Sequence, residues 1–218
     1  TNPAAVILYL LTDQYANPSP LSDDEIVWDE FEAFYEYCED HDFQCNAYIS
    51  SEDYSIEDIC GFIAESNLAQ IRHAGRKVGI TIDAAVNHYT QLFTPRNAWN
   101  FSVQRSFSQD IRYFRIKYID ASIGYEETER TVSLDTEGNI VFDAPVPDDE
   151  SGTEINLVGV TDPAHAAYVG RQRLRSISRQ KRTFTWTSDV EGILCVPGDV
   201  VLLEHNQFSI GLGEGRIK

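Results

Sequence analysis

Six basic residues lie close together late in the chain: Arg171, Arg173, Arg175, Arg179, Lys181 and Arg182. On one helix and its exit they could hold phosphates or carboxylates. Basic side chains in the last turns of a helix also suit its negative end, so the reading adopted is structural, with Arg171, Arg173 and Arg175 as a subunit contact. No other set of residues has the spacing of a reaction centre. His41, His73, His88, His165 and His205 are scattered, without an HxH or HExxH pattern. Asp40-His41-Asp42 is a surface helix end, because triads are defined by geometry and not by adjacency. Adjacent carboxylates such as Asp23-Asp24 and Glu126-Glu127 are expected in an acidic chain. There is no GxSxG elbow, no P-loop and no GxGxxG after a strand. Gly211-x-Gly213-x-Gly215 reads as a turn. Cys38, Cys45, Cys60 and Cys195 form no CxxC pair and suit buried thiols; a Cys38–Cys45 disulfide is compatible with the sequence but not implied. The expectation is a non-enzyme with no catalytic, cofactor-binding or metal-binding residues.

Charge is distributed unevenly. The formal net charge is −18, and of the 35 Asp and Glu, 16 precede Arg72, where no Lys or Arg occurs. Phosphates would be repelled from that first third, so sequence-specific nucleic-acid binding is not expected. The basic helix could instead meet the acidic third, within the chain or between copies. No apolar run approaches the roughly 20 residues of a spanning helix, which argues against stable membrane insertion. Val6–Leu11 lacks the basic flank and cleavage site of a signal peptide. The chain has 218 residues, no Met, and begins Thr1-Asn2-Pro3, which suggests a piece of a longer protein.

The elements that must position these residues follow from caps and periodicity. Asn2-Pro3 predicts a helix to about Leu11. Ser22-Asp23-Asp24-Glu25 is a capping box, and the helix after it should bury Val27, Phe31, Phe34, Tyr35 and Cys38, with an acidic outer face. Cys45, Ala47 and Ile49 alternate as a half-buried strand would. Ser55 opens a third helix with Ile56, Ile59, Cys60 and Ile63 inward, and residues 68–82 predict a hairpin turning at Ala74-Gly75-Arg76. Residues 87–99 look loop-like. Strands are expected at 111–119, 126–134 and 140–143, with a solvated loop at 148–152. Asp162-Pro163 starts a helix with a stripe of Ala164, Ala167, Tyr168, Arg171, Leu174 and Ile177. A strand at 183–187 puts Phe184 and Trp186 on one side. Ile193–Val196 is an apolar run; Pro197-Gly198 then turns into a strand pair. The fold class is α+β: an acidic helix/hairpin α+β unit at 1–86, and a β-rich, β-barrel-like hub domain at 87–218, with one helix at about 163–180, the division being open to discontinuity.

Several of these segments, in order, resemble the phage tail tip attachment protein J family, the lambda-like host specificity proteins related to baseplate hubs. They are Asn2-Pro3-Ala4-Ala5 with Tyr9-Leu10-Leu11-Thr12, and Tyr37-Cys38 followed by Phe43-x-Cys45-Asn46. Ile56 to Ile63, then Gly75-Arg76-Lys77, continue the series. So do Phe107-Ser108 with Arg112-Tyr113-Phe114-Arg115-Ile116, and Gly159-Val160-Thr161-Asp162-Pro163-Ala164. Phe184-Thr185-Trp186 and Pro197-Gly198-Asp199-Val200-Val201 complete it. Residues 128–153 are only loosely similar. The resemblance implies a central hub piece of the virion tail tip, made in the bacterial cytoplasm from a prophage or phage. It implies a homotrimer that contacts other tail proteins, forms a ring and a DNA conduit, and binds a host receptor only through regions outside these residues. No catalytic residue and no cofactor carries over. An acidic first third facing the lumen would repel DNA and keep it sliding. A receptor- or glycan-binding module on the tail tip is the alternative, and exposed aromatic side chains would mark it.

Overall fold

A computed structural model of the chain describes residues 1–48, 54–84, 89–105, 113–135, 139–144, 152–179, 182–205 and 211–217. Among the described residues, four α-helices and eleven strands make a mixed α+β fold, as the sequence implies. The strands form open sheets, and no barrel closes among the described residues. The chain divides into two compact units, residues 1–81 with 107–179, and residues 82–106 with 180–218.

In the first unit, α1 (Pro3–Thr12) starts as its sequence dictates. The Asn2 side chain accepts a hydrogen bond from the Ala4 amide at 2.9 Å, and Pro3 occupies the first turn, where a missing N–H costs nothing. Ala4, Ile7 and Leu11 are buried. The capping box at Ser22 forms, but it opens a short 3-10 turn at Asp23–Glu25 rather than a long helix. Ile26 interrupts it by bridging to Val78, and the Val27 amide donates to the Val78 carbonyl at 2.9 Å. Helix α2 (Trp28–Asp40) therefore begins later than predicted, with Val27 as its cap. It buries Phe31, Phe34 and Cys38 but leaves Tyr35 exposed.

Residues 43–48 have no regular structure, so the strand expected at Cys45 and Ala47 is absent, and Ile49 lies outside the described residues. Phe43 and Cys45 are nonetheless buried. Helix α3 (Ile56–Ser66) carries a reciprocal cap: the Asp58 amide donates to Ser55 Oγ at 3.1 Å, and the Ser55 amide to Asp58 Oδ2 at 2.9 Å. Cys60 and Ile63 point inward; Ile56 and Ile59 are half-buried. Strands β1 (Ala69–Ala74) and β2 (Lys77–Ile82) form the predicted hairpin, with Gly75 at φ 66° in the turn.

The main sheet of this unit is ordered β7-β6-β5-β8. Strand β5 (Tyr113–Asp120) pairs antiparallel with β6 (Glu126–Leu134), which pairs with β7 (Ile140–Phe142). Strand β8 (Gly152–Asn156), for which the sequence carries no strand pattern, runs parallel to β5. Of the solvated loop expected at 148–152, residues 148–151 lie outside the described residues, and Gly152 opens β8. Helix α4 (Pro163–Arg179) packs on β5 and β6. Its buried face is His165, Ala166, Val169, Gly170 and Leu174, one step round from the predicted stripe. Ala164 and Arg171 are exposed. The small Gly170 sets this rotation. A Cβ there would lie 2.0 Å from Ile116 Cδ1, so the sheet approaches the helix where a side chain is missing.

The second unit contains the sheet β11-β10-β3 and the ribbon β4-β9. Strand β3 (Gln91–Phe93) and the start of β4 (Ala98–Arg105) occupy the stretch read as loop-like. Strand β9 (Arg182–Ser188) pairs antiparallel with β4 across an irregularity between Trp99 and Ser102, where Asn100 has φ 53°. After a turn with Gly198 at φ 98°, β10 (Val200–His205) pairs antiparallel with β11 (Gly211–Arg216) and parallel with β3. The glycines at 211, 213 and 215 thus lie in a strand, not a turn. Phe93, Ala98, Val201 and Leu203 form the core of this unit, and Phe184 and Trp186 pack on it from one side of β9, as their alternation predicts.

Candidate functional site

Helix α4 holds the three arginines singled out by the sequence at different depths. Arg171 is exposed; Arg173 and Arg175 are half-buried. Positions 171 and 175 are four apart and share a face, while 173 points elsewhere. Arg173 Nη2 donates to the Glu65 carbonyl O at 2.9 Å. Glu65 lies in the last turn of α3, at the negative end of the helix, and its carbonyl also accepts from the Leu68 amide at 3.3 Å. One arginine therefore meets the acidic first third inside the chain, through a backbone oxygen and not through a carboxylate. The start of α4 is held from the sheet: Arg130 pairs with Asp143 at 2.7 Å and also donates to the Pro163 carbonyl at 3.3 Å. The Arg130 hydrogen bond keeps the Asp143 carboxyl below the usual carboxylate range. Lys181 lies outside the described residues, and Arg182 is exposed at the start of β9.

The acidic face is where the sequence places it. Asp29, Glu32, Glu36, Glu39 and Asp40 of α2 are exposed, beside Trp28 and Tyr35. Trp28 is fixed by a hydrogen bond from its Nε1 to the Asp23 carbonyl at 3.0 Å. Glu30, on the inner side, is paired with Arg72.

Residues that could have done chemistry are occupied structurally. His41 Nδ1 lies 2.9 Å from the Tyr37 carbonyl, and its ring contacts Tyr37, Phe43 and Tyr168. His73 pairs with Glu57 and His205 stacks on Phe101. His165 is buried against Phe43; His88 lies outside the described residues. All four cysteines are free thiols. Burial pushes Cys38 and Cys60 up to about 12, so neither is a ready thiolate nucleophile. Among the described residues no three His, Cys, Asp or Glu side chains are grouped to hold a metal ion, and no helix is long and apolar enough to cross a membrane.

One surface feature was not anticipated. The apolar run before Pro197 does not enter a strand. Residues Val190–Leu194 form a 3-10 turn, with Val190 72% exposed, Ile193 77% and Leu194 69%. The turn is fixed from within the second unit. Asp189 caps it, and Glu191 accepts hydrogen bonds from Asn97 Nδ2 at 2.8 Å and Gln91 Nε2 at 3.1 Å. Hydrophobicity alone predicts burial, and no sequence signal distinguished this run from a core strand.

The described surface thus carries an acidic helix, a basic helix and a pinned apolar turn. Residues 58–218 match the model of a family described as "Putative phage tail protein", and the chain belongs to that family. It is similar in fold to the tail protein from Neisseria meningitidis MC58, with a TM-score of 0.51 at 10% identity over 77% of this chain and 50% of that one. The chain thus spans about half the length of that tail protein. A structure of the phage P2 baseplate in its activated conformation with Ca also matches, at 11% identity over 78% of this chain and 51% of that one, but its TM-score of 0.21 carries no argument. No curated protein matches the chain.

Proposed function

We propose that this tail protein is a piece of the tail tip or baseplate hub, of the lambda-like tail tip attachment type. In this reading it assembles as a trimeric ring at the distal end of the tail and forms a conduit for DNA during host attachment. The observation that carries the reading is the family match over residues 58–218. The ordered motifs of the sequence, which reach from Asn2 to Val201, support the finer assignment. The contact between copies is assigned to the basic face of α4, with the exposed Arg171 at its centre and the exposed carboxylates of α2 as its counterpart; Arg173, which donates to the Glu65 carbonyl, orients the helix. Complementary charge of this kind sets partner choice and register more than affinity. The acidic face of α2 that remains uncovered would line the conduit and repel DNA. The role is non-enzymatic, and receptor binding belongs to regions outside these residues.

The test is the mass of the protein in solution by light scattering, at several concentrations and salt levels. A trimer that loosens with salt is the expected result. A monomer under all conditions would remove the ring reading for this chain while leaving its tail family untouched. Labelled antibody against the protein, seen on intact tails by electron microscopy, should mark the tip; labelling along the tube would overturn the hub assignment.

A further inference from the structure

The strongest uncommitted feature of the first unit is a cluster of rings at the start of α4. The Phe43 and His165 rings are stacked, with centroids 4.0 Å apart and planes 10° from parallel. His165 is 4% exposed, and its Nε2 is buried with no hydrogen-bond partner. Phe43 also meets His41, Tyr37 and Tyr168, at 5.5, 5.8 and 5.6 Å. The titratable groups around the stack are Asp162, just before α4, and Tyr168 on α4, with Tyr37 and His41 from the end of α2. Asp162 Oδ2 is already engaged as helix cap, accepting from the His165 amide at 2.9 Å.

The stack closes a joint between distant parts of the chain. The Asn46 amide donates to the Gly159 carbonyl at 2.8 Å, and Asn46 Nδ2 donates to Thr161 Oγ1 at 3.1 Å. The Cys45 amide donates to the Thr1 carbonyl at 2.8 Å. Gly159 sits directly over Cys45: a Cβ there would lie 2.6 Å from the thiol sulfur. Residues 43–46 form no strand or helix of their own; these contacts, the Phe43 ring, the Phe43 amide's hydrogen bond to the Cys38 carbonyl at 2.8 Å and the Thr1 amino group's to Asn46 Oδ1 at 3.4 Å hold them.

We propose that the Phe43–His165 stack is an acid-sensitive latch: a proton taken up from solution by the His165 imidazole opens the stack and releases residues 43–46 from the segment leading into α4, while the core around α3 stays folded. The physical reason is local. A neutral imidazole needs one N–H partner, whereas an imidazolium carries two donors and a full charge. In the stack Nε2 has no acceptor, the surroundings are aromatic, and the ring sits at the positive end of a helix. Burial holds the His165 pKa down at about 4, against the opposing pull of Asp162. Opened to water, the ring returns to about 6.5. The population of the open form therefore rises roughly tenfold per pH unit from about 6.5 down to about 4, then levels off, roughly 300-fold in all. The latch does not depend on the hub assignment, and any acid response of the α4 arginines would be inherited from it.

Cys45 reports the open state and Cys60, fully buried on α3, reports the core. The experiment is thiol labelling of the chain with dithiodipyridine, which reacts in acid, between pH 7 and 3.5. Each site is read by peptide mass and divided by its rate in the unfolded chain at the same pH. Cys45 should react faster than Cys60 throughout the acid limb, with the profile given above. In His165→Phe, which keeps a ring on Phe43 but cannot take a proton, the acid rise at Cys45 should vanish. His41→Gln should keep it. Equal rates at Cys45 and Cys60 would show only whole-unit unfolding and overturn the latch. An unchanged acid rise in both His165→Phe and His165→Gln would overturn it independently.

Discussion

Glu30 on α2 and Arg72 on β1 form the ion pair that ties the acidic helix to the first hairpin. Arg72 Nε donates to Glu30 Oε2 at 3.0 Å, its Nη2 engages Oε1, and the Ile80 amide donates to Oε2 at 3.0 Å. Arg72 is the first basic residue of the chain, and the fold spends it here. Both side chains are largely covered, so removing one partner strands the other. Arg72→Met is expected to cost about 2 kcal/mol. Gly79 makes room for the pair: a Cβ there would lie 2.1 Å from Glu30 Oε2. Gly79→Ala should therefore destabilise the protein, and less so when Arg72 is already Met, because the carboxylate is then free to move. Urea unfolding of both single variants and the double variant checks this. Additive losses would show that Gly79 and the ion pair act separately.

At Gly170 two effects of opposite sign compete. Alanine in a helix interior is favoured over glycine by about 1 kcal/mol. Here the added Cβ would meet Ile116 Cδ1 at 2.0 Å and Val132 Cγ2 at 3.0 Å, both on fully buried side chains. Overpacking of this kind costs about 1–3 kcal/mol, so Gly170→Ala should lower the thermal midpoint. Ile116→Val in the same chain should recover part of the loss. A Gly170→Ala variant more stable than the parent would show that α4 does not pack on β5 as closely as described.

These two sites also show where the sequence was legible. Local chemistry was: the Asn2 cap, the helix start at Ser55 and the Gly75 turn each settle within a few residues. Burial by distant segments was not. Cys45 alternates with its neighbours as a strand would, yet it and Phe43 are buried by Gly159 and His165, more than a hundred residues away. The stripe of α4 was misread by one step because Gly170, the closest approach to the sheet, contributes nothing to a hydrophobicity pattern. Strand β8 is polar, and its pairing is dictated by β5. The basic helix was legible as a charged element, but not that Arg173 would turn inward to the Glu65 carbonyl.

Acid should weaken the first unit through His165. Its folded pKa lies below its unfolded value, so the unfolded chain binds the extra proton. The contribution is fully present above about pH 6.5 and is lost as the pH falls toward about 4, a change of about 3 kcal/mol. The urea midpoint of the parent should drop over that window. In His165→Phe that part of the slope should be missing, leaving only the loss below about pH 4 from carboxylates such as Asp143, whose pKa is lowered in the fold.

Two arginines two residues apart on α4 should behave differently. Arg173 is bonded inside the chain, and replacing it by Met leaves the Glu65 carbonyl without this donor, at a cost of about 1 kcal/mol. Arg171 is exposed, and Arg171→Glu should change stability by no more than about 0.5 kcal/mol. If α4 carries the contact between copies, Arg171→Glu should nonetheless lower the assembled mass in light scattering. A loss of assembly in Arg173→Met alone, with Arg171→Glu unaffected, would move the contact away from this face.

The apolar turn at Val190–Leu194 separates folding from assembly in the second unit. Its outward side chains contribute little to the core, because Phe93, Ala98, Val201 and Leu203 are packed by Phe184 and Trp186. Its position is fixed by Glu191, whose carboxylate accepts from Asn97 and Gln91. Ile193→Ser with Leu194→Ser should leave the urea midpoint within about 0.5 kcal/mol of the parent, as for substitutions on open surface. Glu191→Ala removes two hydrogen bonds and should cost about 1–2 kcal/mol. If these outward side chains carry a contact between copies, the double serine variant should gain solubility and bind less of a hydrophobic dye, and its self-association at high concentration should fall. If the double variant instead unfolds at markedly lower urea, the turn belongs to the core of the unit and its exposure is not that of a contact surface.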